Sequence, residues 1–293
     1  SSVLQTYDED EVEFIKGDGP YLFSNTKKKY LDFGSGIAVS SLGHSNKEII
    51  KIIQEQSKKL IHTSNLYHNS KKEQYAKKLC LNSFADKVFF TNSGVEAIEC
   101  GIKSIRKYYY SKHKPRKNKI ITFEGGFHGR SIAAISSIRN NKHSKGFGPL
   151  LGGFVTIPFN DINAVKKTIN ENTAAILIEP IQGEGGIRPA DIRFLRFLRE
   201  ITLKNDSVLF LDEVQSGFGR SGKFFSYEWA DIKPDILAAA KGIGSGFPLG
   251  ACLMTDEIGQ FMNYGSHGST FGGNHLAISV GNKVIDIILK NNF

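Results

Sequence analysis

SVLFLDEVQSGFGRSG, Ser207–Gly222, decides the fold of this 293-residue chain. Its first five residues, through Leu211, are apolar enough to lie inside a sheet that is covered on both faces, the habit of parallel strands. Asp212 and Glu213 then arrive where the core should end. A carboxylate at the tip of a buried strand is costly to desolvate unless a cation meets it. Ligands of open α/β sheets bind at the carboxyl ends of the strands, so Asp212 marks the edge at which to look for chemistry.

Six further strands lie around this one. They are KVFFTNSG (87–94), NKIITFEGGFHG (118–129), FVTIPFND (154–161), AAILIEP (174–180), DILAAAK (235–241) and GACLMT (250–255). Between them run helical segments such as VEAIECGIKSIRKYYYSK (95–112), INAVKKTINEN (162–172) and the amphipathic ADIRFLRFLREITLKN (190–205). Strand and helix in alternation predict an α/β fold: a mostly parallel seven-stranded sheet with helices on both faces. GPYLFSNTKKKYLDFGSGIAV (19–39) reads as a separate two-stranded hairpin, and NHLAISVGNKVIDIILKNNF (274–293) as a closing helix.

The formal net charge of +9 invites a nucleic-acid reading, but the lysines are scattered through NTKKKY, QSKKL, SKKEQYAKK and KHKPRKNK. No basic patch interleaved with aromatics and no nucleic-acid motif is present, so no nucleic-acid partner is expected. No apolar run approaches the roughly 20 residues that cross a bilayer. The opening SSVLQTYDEDEVEF has neither a basic start nor an apolar stretch, so no secretory leader is expected from it. Three widely spaced cysteines, Cys80, Cys100 and Cys252, form no disulfide framework. They predict core filling in a reducing cytosol or organelle matrix.

The strand ends collect chemistry-bearing residues: Thr91–Val95, Glu124–Arg130, Glu179–Gly186, Asp212–Gln215 and Lys241. Lys241 follows DILAAA, and burial there would lower its pKa and leave a nucleophilic amine suited to a Schiff base. As a plain alternative it caps a strand, like many surface lysines. NSGVEA (92–97) turns directly into a helix whose free N–H groups suit a phosphate. The same residues also fit a simple cap, with Asn92 or Ser93 as N-cap and Glu96 completing a capping box.

GFGRSG (217–222) matches G-x-G-x-x-G, the dinucleotide fingerprint. Four residues separate it from the strand end, KFFSYEWADIKP follows instead of a long helix, and Asp235 opens a strand where an acid at a strand tip is needed. A nicotinamide dehydrogenase is therefore disfavoured. A phosphate turn, a Schiff-base lysine and a strand-end carboxylate are instead what pyridoxal 5′-phosphate (PLP) requires: the carboxylate keeps the pyridine nitrogen protonated, and the ring becomes an electron sink.

FHGRS, EPIQGEGG, LFLDEVQSGFGRSG, AKGIGSGFPLGA and GSHGSTFGGN, in this order along the chain, together resemble the class III PLP-dependent aminotransferases. The likeness extends through IKGDG, KKKYLDFGSGIAVSSLGH and HTSNLYHN. It implies a fold type I transferase, with residues 1–45 contributing to a small domain and 46–293 forming the large PLP-binding domain. About a hundred further residues, a second domain of ordinary size, would follow Phe293 and supply an arginine facing Glu184.

Carried onto this sequence, the resemblance makes Lys241 the Schiff-base lysine and proton shuttle, and Asp212 the partner of the pyridine nitrogen. Val214 and Phe127 would cover the two ring faces, Gln215 would lie near the ring hydroxyl, and Gly94 and Val95 would hold the phosphate through backbone N–H groups. Many relatives have Thr where Val95 stands. Thr270 would reach the phosphate of a second copy, which implies a homodimer. Arg130 and Ser269 would bind the acylated substrate, and Glu184 would switch so that one pocket accepts both an ω-amine and glutamate. The implied reaction moves the δ-amine of N2-acetylornithine to 2-oxoglutarate. Ornithine is the rival donor, but Ile37 stands where ornithine-specific relatives have a tyrosine that contacts the free α-amino end. Succinylated ornithine or diaminopimelate, and a non-catalytic large-domain remnant, are the remaining alternatives.

Overall fold

The computed structural model describes residues 2–138 and 141–290. Three short strands, β1 (Phe14–Asp18), β2 (Tyr21–Ser24) and β3 (Lys29–Leu31), form an antiparallel sheet near the N-terminus. The expected two-stranded hairpin is therefore three-stranded. β1 is almost wholly exposed and joins through register with β2, so it lacks the apolar alternation that identifies a strand in sequence.

The central sheet contains β4 (Lys87–Thr91), β5 (Lys119–Phe123), β6 (Phe154–Ile157), β7 (Thr173–Ile178), β10 (Val208–Asp212), β11 (Ile236–Ala239) and β12 (Gly250–Met254). A two-stranded ribbon, β8 (Ile181–Gln182) with β9 (Arg188–Pro189), stands apart. The order is β4-β12-β11-β10-β7-β5-β6, and only β12 runs against its neighbours. All seven strands expected from sequence form, in a mostly parallel sheet. The helix expected over 162–172 stops at Thr168, because the Thr173 hydroxyl accepts the Asn170 N–H at 3.0 Å and Asn170 folds back onto Asn172. In the closing helix, His275–Lys290 is formed, and residues 291–293 lie outside the described residues.

Two apolar layers sandwich the sheet. Leu209 and Leu211 of β10 join Tyr75, Phe123, Phe194 and Ile278 on one face. Val208 and Phe210 join Ile98, Ile102, Ile105 and Tyr109 on the other, under the helix Gly94–Ser111. Gly101 permits this contact, since a Cβ there would sit 2.3 Å from Phe210 Cζ. Strand periodicity puts Asp212 on the face of Val208 and Phe210, toward that helix. Cys100 and Cys252 fill this layer as expected, whereas Cys80 is only half-buried.

Candidate active site

At the carboxyl edge of β10, Asp212 is buried and doubly held. His128 donates from Nδ1 to Asp212 Oδ2 at 2.7 Å, and the Val214 N–H donates to Oδ1 at 3.1 Å. Burial alone would lower the His128 pKa, but the hydrogen bond and charge of Asp212, with Glu179 behind, outweigh it and hold it above its ordinary value. The cation that Asp212 demanded is thus supplied within the chain by His128, a residue not singled out from sequence although it lies inside FHGRS.

Glu179, one residue beyond the fully buried β7, is buried rather than solvated. Its Oε1 accepts the Phe127 N–H at 2.7 Å and its Oε2 the Gly183 N–H at 3.3 Å. Burial first, then the nearby Asp212 charge, pushes its pKa up to about 7. Glu179 therefore ties the loop of Phe127 to the loop of Glu184, which itself is exposed. The signal was present in sequence: an acid following an apolar strand, the same pattern that flagged Asp212.

Lys241 follows β11, whose Ala238 pairs with Asp212. It is half-buried with φ at 49°, a left-handed conformation that costs a non-glycine residue strain of the kind found at functional sites. Burial lowers its pKa, while Asp212, Glu179 and Glu184 pull the other way, which places all three carboxylates in its field. Among the described residues its ammonium group makes no hydrogen bond.

At the tip of β4, Ser93 is the N-cap of an 18-residue helix and accepts the Glu96 N–H at 3.4 Å. Glu96 reaches back to the Asn92 N–H at 2.5 Å. The cap and the phosphate turn are therefore compatible, because the N–H groups of Gly94 and Val95 still donate to no protein atom among the described residues. Val214 packs against this turn, where a Cβ on Gly94 would lie 2.6 Å from it. Gly129, at φ 118°, lets the FHGRS loop close onto Val95, which a Cβ would meet at 2.5 Å. Phe127 is half-buried, and the exposed Arg130 guanidinium sits 5.6 Å over its ring. Gln215 lies against the Gly183 backbone, where a Cβ would overlap its Oε1.

Ser269 and Thr270 share one loop. The Ser269 hydroxyl accepts from Asn92 Nδ2 at 3.2 Å and from the Gly272 N–H at 3.0 Å, binding its loop to the phosphate turn. Thr270 is exposed beside a cavity of about 780 Å³ that also takes in His62, Asn65, Leu66 and Tyr264. The chain thus brings Asp212, Val214, Gln215, Phe127, Gly94, Val95, Lys241 and Glu184 to one sheet edge, and leaves Thr270 exposed on the loop that Ser269 ties to it.

GFGRSG opens no helix; only a short 3-10 turn, Ser226–Ala230, follows. Its first turn is capped by buried Glu213, which accepts from the Ser226 and Tyr227 N–H groups at 2.6 and 2.8 Å. Asp235 is equally structural, accepting from Arg199 at 2.8 Å and the Leu209 N–H at 2.7 Å. The dinucleotide reading is overturned. Among the described residues there is no cluster of metal-ligating side chains and no helix long and apolar enough to cross a membrane.

Residues 5–293 match the family Aminotransferase class-III. Acetylornithine aminotransferase of Agrobacterium fabrum is 50% identical over 99% of this chain and 73% of its own length. The Aquifex aeolicus acetylornithine aminotransferase is 46% identical over 98% and 77% respectively. Among solved structures, ornithine aminotransferase from Toxoplasma gondii superposes with a TM-score of 0.95 at 30% identity, covering 98% of this chain and 69% of that one. N-acetylornithine aminotransferase from Stenotrophomonas maltophilia superposes with a TM-score of 0.82 at 35% identity, covering 96% and 70%.

Proposed function

This chain belongs to the class-III aminotransferases, and we propose that it moves the δ-amine of N2-acetylornithine to 2-oxoglutarate, the transfer used in arginine biosynthesis. The cofactor of this chemistry is PLP, named in a Toxoplasma gondii ornithine aminotransferase structure that superposes with a TM-score of 0.95. The residues fit it. Two N–H groups at a helix N-terminus, without a protein partner among the described residues, suit its phosphate, and the half-buried Lys241 amine suits its aldehyde. A buried carboxylate suits its ring nitrogen. That juxtaposition of Gly94–Val95, Lys241 and Asp212 on one sheet edge carries the reading.

When bound, the protonated ring supplies an electron sink for the carbanion at the substrate's amine-bearing carbon. Asp212 Oδ holds the proton on the ring nitrogen, and His128 with the Val214 N–H fixes the carboxylate so that it does not rotate away. Val214 and Phe127 would cover the two faces of the ring. Glu179 anchors the Phe127 backbone. Lys241 Nζ, whose pKa burial lowers, would take and return the proton that moves during the exchange. Arg130 and Ser269 would receive the acylated end of the donor, and Glu184 would swing to admit glutamate. Thr270 would serve the phosphate of a second copy in a homodimer, in keeping with its outward placement. Residues 1–45 would belong to a small domain and 46–293 to the large one, in an enzyme working in the cytoplasm.

The donor assignment rests on identity near 50% with acetylornithine aminotransferases and on Ile37, which offers no hydrogen bond to a free α-ammonium group. The test is transamination of N2-acetylornithine against ornithine with PLP and 2-oxoglutarate present, followed by borohydride reduction and peptide mapping. Preference for acetylornithine, with the reduced label on Lys241, supports the proposal. Preference for ornithine overturns the donor, and a label elsewhere or none overturns the site.

A further inference from the structure

A cavity of about 720 Å³ lies beside the helix Gly94–Ser111 and reaches, through Met262 and Ser266, the loop that carries Ser269 and Thr270. Its walls include Lys103, Arg106, Lys107 and Tyr110 from the helix Gly94–Ser111, together with Asn118 and Gly152–Gly153. Asn118 and Gly152–Gly153 immediately precede β5 and β6, so the cavity opens at the amino ends of the parallel strands, opposite Asp212 and Lys241. Lys103 and Tyr110 lie 9 and 16 residues along the helix from Gly94, roughly 14–24 Å from the phosphate turn.

Three cations line this cavity and no carboxylate does. Two of the cations are already fixed. Arg106 donates to the Gly152 carbonyl at 3.0 Å, and its guanidinium stacks 5.8 Å from the Phe154 ring. Lys103 donates to His267 Nδ1 at 2.9 Å. The buried Nε of Arg106 has no partner, and Lys107 donates to no neighbour among the described residues. A planar guanidinium flanked by two ammonium groups, with no carboxylate beside them, suits the charge of a phosphate. The exposed Tyr110 ring and Pro115 add a flat apolar wall, and the volume falls in the range of small-ligand sites.

We propose that this cavity binds a polyphosphate anion of up to nucleotide size, independently of the transamination site. Pyrophosphate and ATP share the required chemistry and differ in the base that Tyr110 would face. The test is calorimetric titration of the PLP-saturated protein with each, in the parent chain and in Arg106→Gln, Lys107→Gln and, as a control on an exposed lysine elsewhere, Lys77→Gln. One saturable site is expected, weakened about tenfold or more by Arg106→Gln. Lys107→Gln, which breaks no hydrogen bond of the fold, should weaken it several-fold, and Lys77→Gln should leave it unchanged. Tighter binding of ATP assigns a nucleotide, and equal binding assigns the phosphates alone. The proposal is overturned by absence of saturation in the PLP-saturated protein or by equal affinity in the cavity variants. It is also overturned if RNA oligomers bind with strength that rises with their length, the behaviour of a surface that tracks a backbone.

Discussion

His128 and Asp212 form a buried ion pair, Nδ1 to Oδ2 at 2.7 Å, with side-chain exposures of 1% and 4%. Removing one member leaves the other charge buried and unpaired, so His128→Gln should destabilise the protein by about 3–5 kcal/mol if the amide fails to replace the donor. The expected outcome is a lower unfolding midpoint in urea together with weaker PLP retention. The folded-state pKa of His128 is raised, so its stabilisation is complete below the unfolded value of 6.5 and is lost as pH climbs through the folded value. An unfolding free energy in His128→Gln equal to the parent's above and below this window would refute the pairing.

Glu179 and Glu213 give a second, separable pH effect. Both are buried, and burial pushes both up to about 7 from 4.5. Between those values the folded chain binds more protons than the unfolded one, so stability should fall as pH rises from about 4.5 to about 7. In Glu213→Gln the Glu213 share of that slope should vanish. The variant should also be weaker throughout, because its amide can accept only one of the Ser226 and Tyr227 N–H groups well. Urea unfolding at four or five pH values measures both effects, and an unchanged slope would show that Glu213 remains ionised in the fold.

The seven strands and their chemistry-bearing ends were legible because a sheet covered on both faces needs uninterrupted apolar runs, and any polar group at their ends stands out. Asp212 and Lys241 were found that way. His128 was not, since a histidine in a glycine-flanked loop carries no periodicity, and its partner lies 84 residues away. Glu179 carried the same signal as Asp212, yet its burial depends on a loop that folds over it. β1 was hidden for the opposite reason: it is an exposed strand held by backbone hydrogen bonds, which leave no trace in side-chain pattern.

Val95 offers a direct test of the phosphate turn. It is the second residue of the helix Gly94–Ser111, and its N–H donates to no protein atom among the described residues. Val95→Thr keeps the branched shape that packs against Gly129 and adds a hydroxyl beside the anion. PLP affinity, followed by absorbance titration, should rise about fivefold, the effect of one added hydrogen bond. Unchanged affinity would place the phosphate away from this turn.

Ile37 ties backbone strain to donor choice. It sits at φ 63°, ψ 55°, a left-handed conformation that a β-branched residue rarely adopts, and its side chain is 66% exposed. Ile37→Tyr removes the β-branch and adds a phenol able to bond a free α-ammonium group. The ratio of kcat/KM for N2-acetylornithine over ornithine should fall about tenfold, the value of a hydrogen bond to a charged group. Ile37→Gly separates the two effects: it relieves the strain and should raise stability by about 1 kcal/mol, with the substrate ratio unmoved because no phenol is gained. A ratio that shifts equally in both variants would mean that the conformation of this segment, and not the missing phenol, sets the donor.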